Sequence, residues 1–255
     1  MDYKEDLYWG RDITLNQYIT IHQPTVGEIM RFKVDDENYE NGEAGYYKML
    51  SAITATPADY DVQLDSIGVR YEDVDPMDFF FGLVKSYNLT RDVTNLLFGD
   101  LDFMSFERLV DAKDETHVVY MNSDGVRIDS PLYRTIINII RDMHNLTENV
   151  KTWQNEASRA EYMKIEKRRM QRKRNNQNKQ KNILLPIISM MCCQPGFKYT
   201  REGILDLNIY FFYDQLKQIM HSTQVDHLMT GVYVGMIDAK KMNLEEQLNF
   251  IRKDF

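Results

Sequence analysis

The chain has 255 residues, enough for one large domain or two small ones that enclose a hydrophobic core. Hydrophobic residues make up 43% and charged residues 27%, close to the globular average, which excludes wholesale disorder. The net charge of −8 is unevenly spread: residues 1–150 carry 13 basic and 28 acidic side chains, whereas residues 151–255 carry 18 and 11. The acidic front half is expected to repel nucleic acid and to favour solubility.

The chain shows no sign of export or of membrane insertion. Its first residues are charged, which predicts no secretion signal. The longest apolar stretch, 183–193, contains Pro186 and Ser189 and falls short of the roughly 20 apolar residues that span a bilayer. Cys192 and Cys193 are adjacent, a spacing that rarely bridges and offers no metal site. We therefore expect a cytoplasmic protein in which 183–193 is a buried helix.

The first quarter of the chain alternates extended and helical patterns. Apolar residues between positions 13 and 21 predict short strands. Thr25 and Glu28 have capping-box spacing, in which each side chain satisfies a backbone amide of the other, and they predict a short helix. Residues 45–54 continue with helical apolar spacing.

Two helix starts share one pattern of residues. In Thr56-Pro57 and again in Asp75-Pro76, a capping residue precedes a proline at the first helical position, and an acid follows in the first turn. The helix after Pro76 is apolar nearly all round, so it should be deeply buried.

The periodicity changes near residue 101. Phe103, Phe106, Leu109 and the run 118–121 predict strands, the tetrad 122–125 is typical of a turn, and 126–128 returns as a strand. These residues predict a small antiparallel β-meander. Ser130-Pro131 is then expected to cap a helix with a broad apolar face.

Residues 159–182 form a strongly basic segment. They hold ten basic and two acidic side chains, and no apolar residue follows Met170 until Ile183. We expect a helical first half that frays into a linker, and three interpretations stay open: a solvated helix or linker, a docking site for an acidic protein surface, or a nucleic-acid contact. The candidate partner-binding residues are Lys167, Arg168, Arg169, Arg172, Lys173 and Arg174.

The C-terminal part is predicted to be helical, with helices over 183–193, from 209 to about 220, over 225–236 and over 243–251. Residues 210–213 are four consecutive aromatics, which cannot all face inward because neighbours on a helix lie about 100° apart. Tyr210, Phe211 and Tyr213 are therefore further candidates for partner binding.

These patterns together predict an α+β, mainly α-helical fold: a helical core with short N-terminal strands and the small antiparallel β-meander at about 101–128. We expect three parts. Residues 1–152 form an acidic α+β domain, 153–182 a basic helix or flexible linker, and 183–255 a helical subdomain that packs on the first.

Motifs of catalysis are missing from the sequence. There is no phosphate-binding glycine loop, no dinucleotide fingerprint and no Gly-x-Ser-x-Gly elbow. The five histidines include no pair at the i, i+4 spacing of a helical zinc site, and the closest, His221 and His227, are six apart. We expect a non-enzymatic protein with no catalytic residue, no metal and no cofactor.

Several segments resemble a family of tail assembly chaperones from tailed bacteriophages and prophages of Gram-positive bacteria. The resemblance rests on residues 21–29, on 47–57, on 73–80, on 98–103, on the helix after Ser130-Pro131, and on 184–189 leading to 196–199. It implies a cytoplasmic phage protein that coats the tape-measure protein while the tail tube forms, and it carries no catalytic residue. The strands at 101–128, the basic segment and the length of the chain depart from the usual small chaperone.

We therefore expect a non-enzymatic tail assembly chaperone in the host cytoplasm. Its partners would be the tape-measure protein or other tail proteins, with self-association possible, no membrane contact and little role for nucleic acid. The first alternative is a structural component of the tail or head–tail junction. The second is nucleic-acid binding through the basic segment.

Overall fold

The computed structural model describes residues 3–110, 118–175 and 182–237, with side chains up to 172 in the second stretch. The fold is α+β and 58% helical, as the sequence predicts. The helices are α1 Lys4–Trp9, α2 Val26–Met30, α3 Glu43–Thr54, α4 Asp61–Ser66, α5 Pro76–Ser86, α6 Arg91–Phe98, α7 Ser130–Met143, α8 Glu156–Asn175, α9 Leu184–Cys192, α10 Arg201–Leu205 and α11 Ile209–Tyr233. The strands are β1 Ile13–Thr14, β2 Thr20–Ile21, β3 Glu107–Val110, β4 Val118–Met121 and β5 Arg127–Asp129.

The N-terminal strands and the first capping box are confirmed. β1 and β2 pair antiparallel, with Ile13 opposite Ile21. Thr25 Oγ1 accepts a hydrogen bond from the Glu28 N–H at 3.2 Å, and the Glu28 carboxylate accepts one from the Thr25 N–H at 2.8 Å. These two bonds satisfy amides that the first turn of α2 would otherwise leave without a partner.

The two predicted proline-led helix starts behave differently. Asp75 caps α5, because its Oδ1 accepts from the N–H groups of Met77 and Asp78 at 2.9 Å each. After Thr56 the chain instead makes a 3₁₀ turn, Pro57–Tyr60, and the α-helix begins only at Asp61. The prediction of an α-helix starting at Pro57 was therefore four residues early, although the Thr56–Asp59 capping box forms.

The β-meander is confirmed with a later start. Its strand order is β3-β4-β5, and both pairs are antiparallel. Phe103 belongs to a 3₁₀ turn, Phe103–Ser105, so the prediction of a strand there was wrong. The cap of α7 is also one residue earlier than predicted: Asp129, not Ser130, accepts from the Leu132 N–H at 3.0 Å.

The C-terminal helices depart from the sequence prediction mainly in the length of α11. α11 runs unbroken for 25 residues, so the predicted separation between a helix ending near 220 and another starting at 225 was wrong. Residues 221–224 contain neither glycine nor proline, and nothing there interrupts the helical hydrogen bonds. α1, α6 and α10 were not predicted, and the predicted helix at 243–251 lies outside the described residues.

One hydrophobic core includes residues from both ends of the chain. Buried side chains of α3, α5 and α7 cluster with those of α9, α10 and α11, among them Tyr46, Ile140 and Phe212. α9 buries Leu184 in this cluster while Leu185 stays 40% exposed. The predicted boundaries between three parts of the chain stay a prediction.

Backbone and carboxylate hydrogen bonds fix the C-terminal helices onto the N-terminal part. The Val26 N–H donates to Leu207 O, and the Ile209 N–H donates to Pro24 O, each at 2.9 Å. The buried Glu43 carboxylate accepts from the backbone N–H groups of Ile183 at 2.6 Å and Leu184 at 2.9 Å. Glu43 thus caps α9 from a helix about 140 residues earlier in the chain.

A buried histidine links α7 to α3. His144 Nδ1 lies 2.8 Å from Ile140 O, and its Nε2 lies 2.7 Å from the Tyr46 hydroxyl. A carbonyl only accepts, so Nδ1 carries the proton and Nε2 accepts from Tyr46. Burial penalises the imidazolium and lowers the pKa of His144 to about 4.

Within the described residues, the structure contains no helix with the length and apolar character needed to cross a membrane.

We predict that His144 makes the fold sensitive to acid. Its pKa is about 4 in the fold against an ordinary value of about 6.5, so the unfolded chain binds the proton more tightly. The stabilisation is complete above about pH 6.5 and is lost as the pH falls towards 4, by about 3 kcal/mol in total. Urea unfolding of the wild type and His144→Gln across this range measures the difference. His227→Gln, an exposed histidine on α11, is the control; equal pH dependence in all three proteins would contradict the prediction.

We also predict that Glu43→Ala lowers the free energy of unfolding by about 2–3 kcal/mol, because two buried amides lose a charged acceptor. Hydrogen exchange should accelerate first in α9. Asp35→Ala removes an exposed acid and should change neither quantity. Unchanged exchange in α9 would show that Glu43 does not hold this helix.

Candidate partner-binding surface

The basic segment forms α8, a helix that is anchored along one side. Arg159 and Lys167, two turns apart, both reach Asp65 on α4, at 3.2 and 3.1 Å. Glu156 in the first turn pairs with Arg70 at 2.5 Å. Met163 is buried on the same side of the helix. The helix is therefore held between Glu156 and Lys167, where Asp65 pairs with two of its cations.

A buried ion pair fixes the chain that leads into α8. Lys151 Nζ lies 2.6 Å from Asp61 Oδ2 and 2.7 Å from Ala58 O. It also lies 5.1 Å from the centre of the Tyr162 ring on α8, and that ring packs on Trp153. The Asp61 side chain is only 3% exposed, and Lys151 is the cation that pairs with it.

Next to its anchored side, α8 carries a cationic stripe, which we define as Lys164, Arg168 and Arg172. These residues are four apart, so they lie on one face of the helix. All three are exposed, and none forms an ion pair with a described residue. Such a face adds little to the stability of the fold, and its charge is available to a partner.

The structure separates the six predicted basic residues into three groups. Arg168 and Arg172 belong to the cationic stripe. Lys167 is paired with Asp65, and Arg169 is paired with Glu166 at 2.9 Å. Lys173 and Arg174 lie on the helical backbone of α8, but their side chains are outside the described residues. Lys164 was not among the predicted residues, although its i, i+4 spacing to Arg168 is visible in the sequence.

The predicted aromatic residues of α11 are in contact with the rest of the fold. Phe211 packs edge-to-face on Tyr8 of α1 at 5.3 Å between ring centres. The Tyr213 and Tyr47 hydroxyls are 2.7 Å apart, and Tyr210 is half-buried. Their role in partner binding stays a prediction.

A second exposed surface lies where α11 finishes. We define the α11 apolar end as Tyr233, Val234 and Met236, which are 80%, 60% and 86% exposed. Three large apolar side chains exposed within four residues are uncommon on a soluble protein unless they serve a contact.

Among the residues that the structure describes, no three His, Cys, Asp or Glu side chains converge in a way that would hold a metal ion. His221 is half-buried and His227 is exposed on α11, and Cys192 and Cys193 are both exposed.

The fold and these surfaces describe a mainly helical α+β protein with a basic helix on an acidic body. Residues 175–253, less than half of the chain, match a family model described as the YomV second domain, a phage-derived family. The match includes α9, α10 and α11. No curated protein and no solved structure matches the chain. The similarity fits a phage protein and leaves tail assembly as a proposal.

We predict that Lys151→Met destabilises the fold by about 3 kcal/mol, because Asp61 is left buried and charged without its cation. Amides in the first two turns of α8 should exchange faster than those of α7, since Lys151 also supports Tyr162. Lys85→Met, which removes an exposed lysine of α5, is the control. Equal unfolding free energies of the two variants would contradict the prediction.

Proposed function

We propose that this protein is a non-enzymatic tail assembly chaperone that holds the tape-measure protein in the host cytoplasm. The observation that carries the proposal is the α11 apolar end, an exposed contact surface within the residues that match a phage-derived family. A holding protein needs a stable body with apolar or charged surfaces left open, and it needs no reactive cleft. The resemblance of the sequence to tail assembly chaperones points to the tape-measure protein as the partner.

The surfaces suit a long helical partner. Tyrosine and methionine provide apolar area, and methionine adapts its shape to different side chains. Amphipathic helices bind such surfaces through residues spaced three and four apart. The cationic stripe on α8 adds a charged contact that does not compete with the core.

Co-expression with the tape-measure protein of the same phage tests the proposal. We expect the tape-measure protein to stay in the soluble fraction and to co-purify with this protein. Tyr233→Ser with Met236→Ser should lower the soluble yield several-fold, because apolar contact area is lost. Ile67→Ser with Val150→Ser, which are 71% and 74% exposed elsewhere, is the matched control. If the wild type changes neither solubility nor co-purification, the proposal is wrong.

The structural alternative makes a different prediction about the finished particle. A chaperone leaves the tail once assembly is complete, whereas a component of the tail or head–tail junction remains. Mass spectrometry of purified virions should therefore find no stoichiometric amount of this protein. Its presence at a copy number comparable to known tail proteins would favour the structural role.

A further inference from the structure

A groove lies beside α8, along the side where it meets α4. Its volume is about 430 Å³. The walls are formed mainly by charged residues of α8, together with Asp65 of α4. Lys164 and Arg168 of the cationic stripe line it, so the groove and the stripe are one continuous surface.

The charges in the groove do not balance. Four cations line it, namely Arg159, Lys164, Lys167 and Arg168, against two carboxylates, Asp65 and Glu156. Asp65 is shared between Arg159 and Lys167, and Glu156 is shared between Arg159 and Arg70. Neither Lys164 nor Arg168 forms an ion pair with a carboxylate of a described residue. The groove therefore has a surplus of positive charge that an acidic partner would neutralise.

One donor in the groove is buried without an acceptor. Arg159 Nε is inaccessible to solvent and forms no hydrogen bond with a described residue, although both terminal nitrogens of the guanidinium reach carboxylates. Buried donors are usually satisfied, because an unmet donor costs about 1–3 kcal/mol. If an oxygen atom of a partner took over part of the contact that Arg159 makes with Asp65, the guanidinium could turn and its Nε could reach an acceptor.

The spacing of the cationic stripe matches the geometry of a helix. Lys164, Arg168 and Arg172 are four residues apart, so successive charges are separated by about 6 Å along the axis. Glutamates at i and i+4 of a second helix have the same spacing. A helix laid along α8 would place each of its carboxylates opposite one cation.

We propose that the groove between α4 and α8 and its cationic stripe bind an acidic helical segment of a protein partner. The proposal rests on the proposed function where it takes this segment to belong to the tape-measure protein. It favours protein over nucleic acid because α8 has a single aromatic residue, Tyr162, which is engaged by Trp153 and Lys151 rather than free to stack on a base.

Fluorescein-labelled poly-L-glutamate is the probe, measured by anisotropy at low ionic strength, about 50 mM salt. We expect the wild type to bind the probe with an affinity that falls as salt is added. The stripe variant, Lys164→Gln/Arg168→Gln/Arg172→Gln, should bind about tenfold or more weakly. Lys33→Gln/Lys85→Gln/Arg134→Gln removes the same charge from exposed residues elsewhere and should bind nearly as the wild type does. Circular dichroism confirms that each variant is folded.

A charge variant in the opposite direction separates recognition from structural damage. Asp65→Asn releases Arg159 and Lys167 from their shared carboxylate, so binding should strengthen by roughly threefold. A purely structural role for this cluster predicts weaker binding in the same variant. The proposal is overturned if the stripe variant and its control lose the same amount of poly-L-glutamate binding, or if Asp65→Asn binds poly-L-glutamate more weakly than the wild type.

Two further comparisons complete the test. Tighter binding of a single-stranded oligonucleotide than of poly-L-glutamate, lost in the stripe variant, would overturn the protein partner in favour of nucleic acid.

Co-expression of the stripe variant with the tape-measure protein locates the contact: reduced co-purification supports the groove, and unchanged co-purification overturns it while the proposed function stands. If the wild type itself fails to co-purify, the proposed function is wrong, and the poly-L-glutamate result alone decides the groove.

Discussion

The whole arrangement depends on the pairing of residues 24–26 with residues 207–209. Two backbone hydrogen bonds, from Val26 to Leu207 and from Ile209 to Pro24, join segments that are more than 180 residues apart. Gly27 allows this approach, because a Cβ there would lie 2.9 Å from Leu205 O. The capping box of α2 and the start of α11 meet at this point, so the long C-terminal helix is placed on the N-terminal core by backbone geometry as well as by apolar packing.

The position of the C-terminal helices on the N-terminal core determines where positive charge remains unpaired. The acids of the N-terminal part surround a core that includes α9 to α11, and the basic helix α8 connects the two without entering the core. Asp65 pairs with Arg159 and Lys167 of α8, and beyond Lys167 the described side chains make no ion pair with another part of the chain. The cationic face of α8 is therefore the part of the described helix that the acids of the N-terminal part do not pair with.

The sequence was most informative where structure depends on near neighbours. The capping box of Thr25 and the Asp75-Pro76 start follow from bonds within three residues, and both were predictable. The continuous α11 was not, since its second half has no strong apolar pattern, and the burial of Phe211 and Tyr213 depends on Tyr8 and Tyr47, far away in sequence. The same holds for the groove: its basic residues are evident in the sequence, but which of them form an ion pair depends on where the fold places Asp65.

The residues that anchor α8 differ from those of its cationic stripe. The contacts that hold α8, made by Tyr162, Arg159 and Lys167, lie on the side towards Lys151 and Asp65. The cationic stripe lies on another face and has no partner in the described part of the chain. Exposed charges of this kind contribute little to folding, so their number and spacing can change while the fold keeps its stability. Single substitutions in the stripe therefore alter the charge of this surface without removing any of the ion pairs that hold α8 to α4.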